Sequence, residues 1–348
     1  MAKFKIFSKD SYTKYILLFL LTFFTCTMAG VQWAGNDFLD ISTWHTGLTY
    51  AILILTFLGV HEFGHYFAAK YHNVHTSLPY FIPFPVPFFF INFGTFGAII
   101  RMRQAIPSRK ALFDIGIAGP LAGYIVSLII LLIGLVNLPT KEMILQIHPE
   151  YLLNYGGNIP NTGFHYGDTL LYSLLQYIII PTGKFVPPMN EIYHFPFLNV
   201  GWFGLFVTTM NLLPIGQFDG GHIFYAMYGK KVQYKTAKIS FWFLFMIGFI
   251  GVFNDVYVFL QDDYGFKLIA WLQSAITPKL SLVYEQFPIL RQFWSGWLLW
   301  ALIGRFAIKL QHPPVQDESP LNRKRIILGW IAILMLISSF SFNSIYFL

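Results

Sequence analysis

Apolar residues fall along this chain in long runs, and polar and basic residues gather in the short segments between them. The runs show neither the alternation of a half-buried strand nor the one-sided stripe of a soluble helix. Each is about long enough to cross a bilayer core as a helix, which takes about 20 residues. They lie near 15–33, 47–69, 111–137, 197–228, 239–260, 293–310 and 326–347. This pattern predicts an all-α polytopic membrane protein with about seven transmembrane helices. The fourth run is broken by Pro214 and Gly216, and the sixth is short and carries Arg305 near its end. After the second run, "LPYFIPFPVPFFFINFGTFGAIIRMRQ" combines prolines, aromatics and the glycines Gly94 and Gly97. It predicts a small β-hairpin at the cytoplasmic membrane surface.

Composition strengthens the membrane reading. Of 348 residues, 55% are hydrophobic and 11% charged, against about a quarter charged in soluble domains. Mean hydropathy is +0.56. A net charge of +7 would suit a nucleic-acid binder, but the basic residues do not cluster on one soluble domain. The expected surroundings are therefore a lipid bilayer, with no nucleic-acid partner. With the N-terminus in the cytoplasm, 18 of the 23 basic residues fall on the cytoplasmic side. Only Lys141, Lys184, Lys267, Lys279 and Arg291 fall outside, the bias expected of membrane topology. Residues 1–29 also have the layout of a cleaved signal peptide, which would leave the remaining topology unchanged. The start is not the Arg- and Ser-rich, acid-poor segment of an organellar transit peptide, so a bacterial cell membrane is expected. Cys26 is the single cysteine and lies in an apolar run, which excludes a disulfide framework and a Cys-based zinc site. The outer segments 138–196 and 261–292 show no repeat and are small for independent domains.

Chemistry enters with "HEFGH" at 61–65, inside the second run. Positions i and i+4 share a helix face, so His61 and His65 can aim two imidazoles at one metal. Glu62 is rotated about 100° from His61 and is placed to take a proton from water activated at that metal. The alternative is a pair of histidines hydrogen-bonded to neighbouring helices, which is expensive for three ionisable groups at membrane depth. A zinc site with one open position needs a third protein ligand. "MNLLPIGQFDGGH" at 210–222 offers Asp219 in the broken fourth run. Irregular backbone at that depth survives where it is buried in protein or lines a wet cavity. Asp219 is otherwise a helix-capping aspartate. His65 and His61 lie roughly 8 and 14 Å before Lys70, and Asp219 roughly 16 Å before Lys230 at helical rise. The three thus sit at one level, nearer the cytoplasmic face.

HEFGH followed by "NLLPIGQFDGG" resembles the site-2 proteases, intramembrane zinc metalloproteases, over roughly residues 47–228. "FDIGIAGPLAGYIVSL" in the third run also resembles that family's three-helix core. The resemblance implies His61, His65 and Asp219 as ligands of one zinc per chain and Glu62 as the catalytic acid/base. It implies that Asn211 and Pro214 stand beside the active site, with Asn211 holding either the substrate backbone or Asp219. It divides the chain into an N-terminal span and loop (1–46), a catalytic core (47–228) and C-terminal spans (229–348). Many bacterial members carry a PDZ domain after the third core span. About 60 residues are available here, fewer than that fold needs, which places the chain nearer the PDZ-less branch.

The implied function is cleavage of transmembrane or membrane-proximal segments of membrane proteins. The edge strand around Gly94 and Gly97 would hold an unwound substrate by β-augmentation, the alternative being a plain surface anchor. A metal-ion transporter using His61, His65 and Asp219 as a transit site is the competing function, and it would tolerate Glu62→Gln. A silent scaffold is disfavoured by the intact motif. His72 and His75 are expected at the interface, His222 beside Asp219, and Asp114 paired near Arg109 and Lys110. Asp255 lies far in depth from the metal.

Overall fold

A computed structural model describes residues 12–84, 92–261 and 265–347. Lys3, Lys5 and Lys9 of the basic start, and residues 85–91 of the proline-rich aromatic run, lie outside the described residues. The elements in chain order are α1 (Tyr12–Trp33), α2 (Leu48–Tyr71), β1 (Tyr80–Pro83), β2 (Thr95–Ile99) and α3 (Arg109–Val136). There follow α4 (Lys141–Ile147), α5 (Glu150–Tyr155), β3 (Phe164–Tyr166), α6 (Leu170–Ile179), α7 (Pro196–Leu212) and α8 (Asp219–Phe259). The rest are α9 (Lys267–Gln286), α10 (Gly296–Leu302), α11 (Arg323–Ser339) and β4 (Ile345–Phe347). The chain divides into two compact units. One holds Met1–Asn137, Tyr193–Thr208 and Val315–Ala332, and the other Leu138–Ile192, Thr209–Pro314 and Ile333–Leu348.

Among the described residues, four helical stretches are long and apolar enough to cross a membrane. They are Tyr12–Trp33, Ile41–Tyr71, Arg109–Val136 and Asp219–Phe259. The first three coincide with the first three apolar runs. The fourth and fifth runs are partitioned differently from expectation. Helix α7 stops at Leu212, and α8 then continues from Asp219 through the expected loop at 229–238. Its one interruption is Gly229, whose φ of 78° and ψ of 174° make two helices of it. Glycine alone adopts that geometry without strain.

In the first unit, α1 satisfies its buried hydroxyls internally. Thr22 donates to the Leu18 carbonyl at 2.7 Å and Thr27 to the Phe23 carbonyl at 2.9 Å, as an apolar setting demands. Helix α3 is capped by Ser108, whose hydroxyl accepts from the Ala111 N–H at 3.1 Å; such a cap contributes about 1 kcal/mol. Helix α7 packs closely on α3 because Gly201 lies against the Leu131 backbone and Gly204 against the Ser127 hydroxyl. The hairpin is present as expected. Strand β1 pairs antiparallel with β2, Tyr80 opposite Ile99 and Phe81 opposite Ala98, with an irregularity before Pro83 opposite Thr95.

Asp114 corrects an expectation about its partner. Arg325, at the start of α11, makes the pair through two bonds of 2.8 and 2.6 Å, and His72 adds a third contact at 2.8 Å. The forked guanidinium fits a carboxylate better than a nearer lysine in sequence would. His75 sits at the surface beside Gln104, 3.1 Å away.

In the second unit, α8 and α10 approach through Gly248 and Gly251, which lie against the Leu298 and Ser295 backbones. The last apolar run is not one helix, so the all-α expectation is corrected. Helix α11 ends at Ser339, and β4 pairs antiparallel with β3, Tyr346 opposite His165. Polar residues intervene: the Ser344 hydroxyl donates to the Ser341 carbonyl at 2.9 Å and Ser341 to Asn343 at 3.0 Å. Such local bonds compete with helix. The structure is mostly helical with two two-stranded sheets. Residues 138–192 hold one three-residue strand and three short helices, not the strand series a PDZ domain requires.

Candidate metal centre

Helix α2 buries Tyr50, Ile54, Phe57, Leu58, His61, His65 and Ala69, a spacing of three and four that marks one face. His61 and His65 therefore extend an apolar seam rather than interrupt it. They are 3% and 6% exposed, and Glu62 is 8% exposed. This burial puts three ionisable side chains where water cannot solvate them freely, which is costly unless they share a partner.

The ring geometry fits a shared metal ion. His65 Nδ1 lies 2.7 Å from the Ile115 carbonyl oxygen. A carbonyl only accepts, so Nδ1 carries the proton and Nε2 presents its lone pair. That arrangement orients and tunes a metal-binding imidazole. His65 Nε2 stands 3.2 Å from His61 Nε2. Two nitrogens bound to one tetrahedral zinc at 2.0–2.1 Å are separated by about 3.3 Å. The pair thus has the spacing of two zinc ligands.

Helix α3 makes the room. Gly119 and Gly123 sit four residues apart on the face that meets α2. A Cβ on Gly119 would overlap the His65 ring, and one on Gly123 would stand 2.9 Å from His61 Nδ1. Gly64 completes the approach, since its Cβ would meet the Ala118 carbonyl at 2.6 Å. Small residues at four-residue spacing let membrane helices close on each other. Here they hold two imidazoles as well. Sequence reasoning did not single out these glycines or Ile115, although Gly119 and Gly123 repeat the spacing of His61 and His65.

The remaining expected residues fall in two places. Asn211 is the penultimate residue of α7 and half-buried, and Pro214 is buried in the break that follows. Asp219 is the first residue of α8 and half-buried. Phe218 takes the cap position, so Asp219 is not the helix cap, though the helix dipole favours its charge. Gly220 and Gly221 let the first turn of α8 fold onto the break, lying against the Leu212 and Gly216 carbonyls. By their chemistry, two imidazoles and one carboxylate are a donor set that suits zinc with a position left open.

Gly94 and Gly97 flank the start of β2 with φ of 74° and 96°. Gly94 is packed: a Cβ there would overlap the Cys26 backbone, and its carbonyl accepts from the Thr25 hydroxyl at 2.6 Å. Gly97 faces open space among the described residues, with none of their atoms beyond its chain neighbours within 4 Å of where a Cβ would stand. His222 is engaged with His312, its Nδ1 2.7 Å from His312 Nε2. His312 went unnoticed in the sequence because no motif surrounds it.

A buried His-x-x-x-His pair on a membrane-length helix, with a glutamate in the same turn, defines a class of multi-pass membrane protein built around a metal. Comparison with known proteins agrees. Residues 49–251 match the peptidase family M50. The chain is 28% identical over 266 residues to the probable zinc metalloprotease EGY2, chloroplastic, of Oryza sativa subsp. indica, covering 75% of this chain and 43% of that protein. It is 27% identical over 241 residues to EGY2 of Arabidopsis thaliana, covering 68% and 39%. To the probable zinc metalloprotease EGY1, chloroplastic, of Arabidopsis thaliana it is 33% identical over 185 residues, covering 53% and 30%. The chain therefore spans less than half the length of these relatives. It belongs to peptidase family M50.

Proposed function

We propose that the chain is an intramembrane zinc metalloendopeptidase that cleaves transmembrane or membrane-proximal segments of membrane proteins. The observation that carries this reading is the His61–His65 pair, its Nε2 atoms 3.2 Å apart with Glu62 in the same turn. One zinc per chain would be held by His61, His65 and Asp219. When bound, zinc supplies Lewis-acid polarisation of the scissile carbonyl and makes water acidic enough to lose a proton near neutral pH. Glu62 accepts that proton as the water attacks and delivers it to the leaving amine. Burial of Glu62 keeps bulk water from competing for it.

A substrate helix hides its carbonyls in hydrogen bonds and must unwind before attack. In this reading β2 holds the unwound segment. Its outer edge is unpaired among the described residues, and it presents the exposed side chains of Phe96 and Ile99. Gly97 leaves that surface bare, while Gly94 sets the hairpin against α1. Asn211 and Pro214 shape the break beside the site. The catalytic core is residues 47–228, and the four apolar runs outside it complete about seven spans. The setting proposed is a bacterial cell membrane; the Lys/Arg bias supports a cytoplasmic N-terminus, with the site nearer that face.

The test is Glu62→Gln, assayed for zinc content and for cleavage of a model transmembrane substrate. Zinc content stays near one per chain, and turnover falls by at least about 100-fold, the usual loss for a general base. Substantial turnover by the variant, or zinc flux with no cleavage by the wild type, would sink the peptidase reading.

A further inference from the structure

The break between α7 and α8 is held from the far end of the chain. A π-helical turn, Ile303–Ile308, follows α10 and ends at Lys309, whose φ of 68° lies in the left-handed region. A residue with a side chain is strained there, and the chain turns sharply into the irregular segment Lys309–Pro313. That segment lies along the break. The Leu310 carbonyl accepts from the Gly216 N–H at 3.2 Å and from the Gln233 amide at 3.0 Å. The Lys309 carbonyl occupies the space a Cβ on Gly216 would need. Gln233 is fully buried and returns a second bond, its oxygen accepting from the His312 N–H at 3.2 Å.

His312 closes the strap on α8. Its Nδ1 lies 2.5 Å from the Pro313 carbonyl, so Nδ1 carries the proton and Nε2 accepts. His222 Nδ1, 2.7 Å away, must then donate. Donation thus runs one way, from His222 Nδ1 to His312 Nε2 and from His312 Nδ1 to the Pro313 carbonyl. Burial pushes the His312 pKa down, against the pull of the Pro313 carbonyl. Tyr225, fully buried, packs its ring 4.6 Å from that of His312. His222 lies three residues after Asp219 on the same helical face.

We propose that His312 and Gln233 are positioning residues. By tying Leu310 to Gly216 and His312 to His222, they hold residues 213–222 in the shape that presents Asp219 to the metal. The inference rests on Asp219 being a ligand, as proposed above. It gives the C-terminal third of the chain a task in the reaction although it contributes no ligand. A strap of this kind acts on the metal and on kcat, because it moves a ligand without touching substrate.

The full chain is tested as His312→Met, which keeps the volume, and His312→Gln, whose amide reaches the position of Nε2. Zinc affinity is read by chelator competition, with kcat and KM measured on a model transmembrane substrate. In His312→Met, zinc affinity and kcat both fall at least about tenfold, the range for partners of metal ligands, and KM holds. His312→Gln recovers most of both. Wild-type zinc affinity and kcat in His312→Met overturn the proposal. Hydrogen exchange on the wild-type protein decides the matter independently of folding in the variants. Zinc loading slows exchange in 213–222 and in 309–313 together; protection of the break alone overturns the strap. Asp219→Ala separates this from the underlying reading, because full zinc retention there sinks the ligand assignment itself.

Discussion

A methyl group at position 119 has nowhere to go but the space His65 fills. The imidazole would have to leave the Ile115 carbonyl that orients it, and the 3.2 Å spacing to His61 would be lost. Gly119→Ala is therefore expected to lower zinc affinity by about 10- to 100-fold, the effect of disturbing a ligand's supporting contacts. Gly123→Ala is milder, since its methyl stops 2.9 Å from a ring nitrogen that can shift slightly. Gly59→Ala serves as the control, because its methyl would meet only the Phe81 ring at an ordinary 3.8 Å. Chelator titration of the three variants checks the order. Equal affinity in Gly119→Ala and Gly59→Ala would mean that α3 does not shape the site.

At the scale of elements, the seam between α2 and α3 carries both packing and chemistry, and the hairpin offers an edge beside them. Proline at Ile99 removes a backbone donor from β2 and spoils the strand for pairing. Ile99→Pro is expected to retain zinc while cleavage of several substrates falls at least about tenfold, from a loss of roughly 1.4 kcal/mol or more of strand pairing. Unchanged cleavage in a stable variant would discard the strand as a substrate clamp. The helix that carries His61, Glu62 and His65 was legible in the sequence because the three are local and fall at helical spacing. The break was legible because Pro214 and Gly216 cannot continue a helix. Long-range pairing was not. Nothing in "SFNSIYF" says that Ile345–Phe347 pairs with Phe164–Tyr166 instead of finishing a span. Nothing near Asp114 points to Arg325 rather than Arg109 or Lys110. The extended helix past Gly229 was missed because four lysines at 230–238 resemble a loop, yet lysine is a good helix former.

At the scale of the molecule, stability should carry a pH signature from outside the spans. Burial holds the Glu191 carboxyl above its ordinary value of 4.5, only partly offset by His148 and the Tyr151 hydroxyl. The folded state thus keeps this proton more tightly than the unfolded one. Its stabilising contribution is complete below about pH 4.5 and is lost as pH rises through the folded value. The apparent Tm in detergent is expected to drop as pH rises above about 4.5, and to drop less in Glu191→Gln. An identical slope in both would remove Glu191 as the source. The order of parts along the chain has a consequence in time. A ribosome releases His61, Glu62 and His65 first, Asp219 much later, and the Lys309–Pro313 strap later still. On the function and strap proposed above, a half-made chain would hold the acid/base and two ligands without the clasp that presents the third. On that reading the blade would stay sheathed during synthesis, and the neighbouring proteins being inserted beside it would be spared.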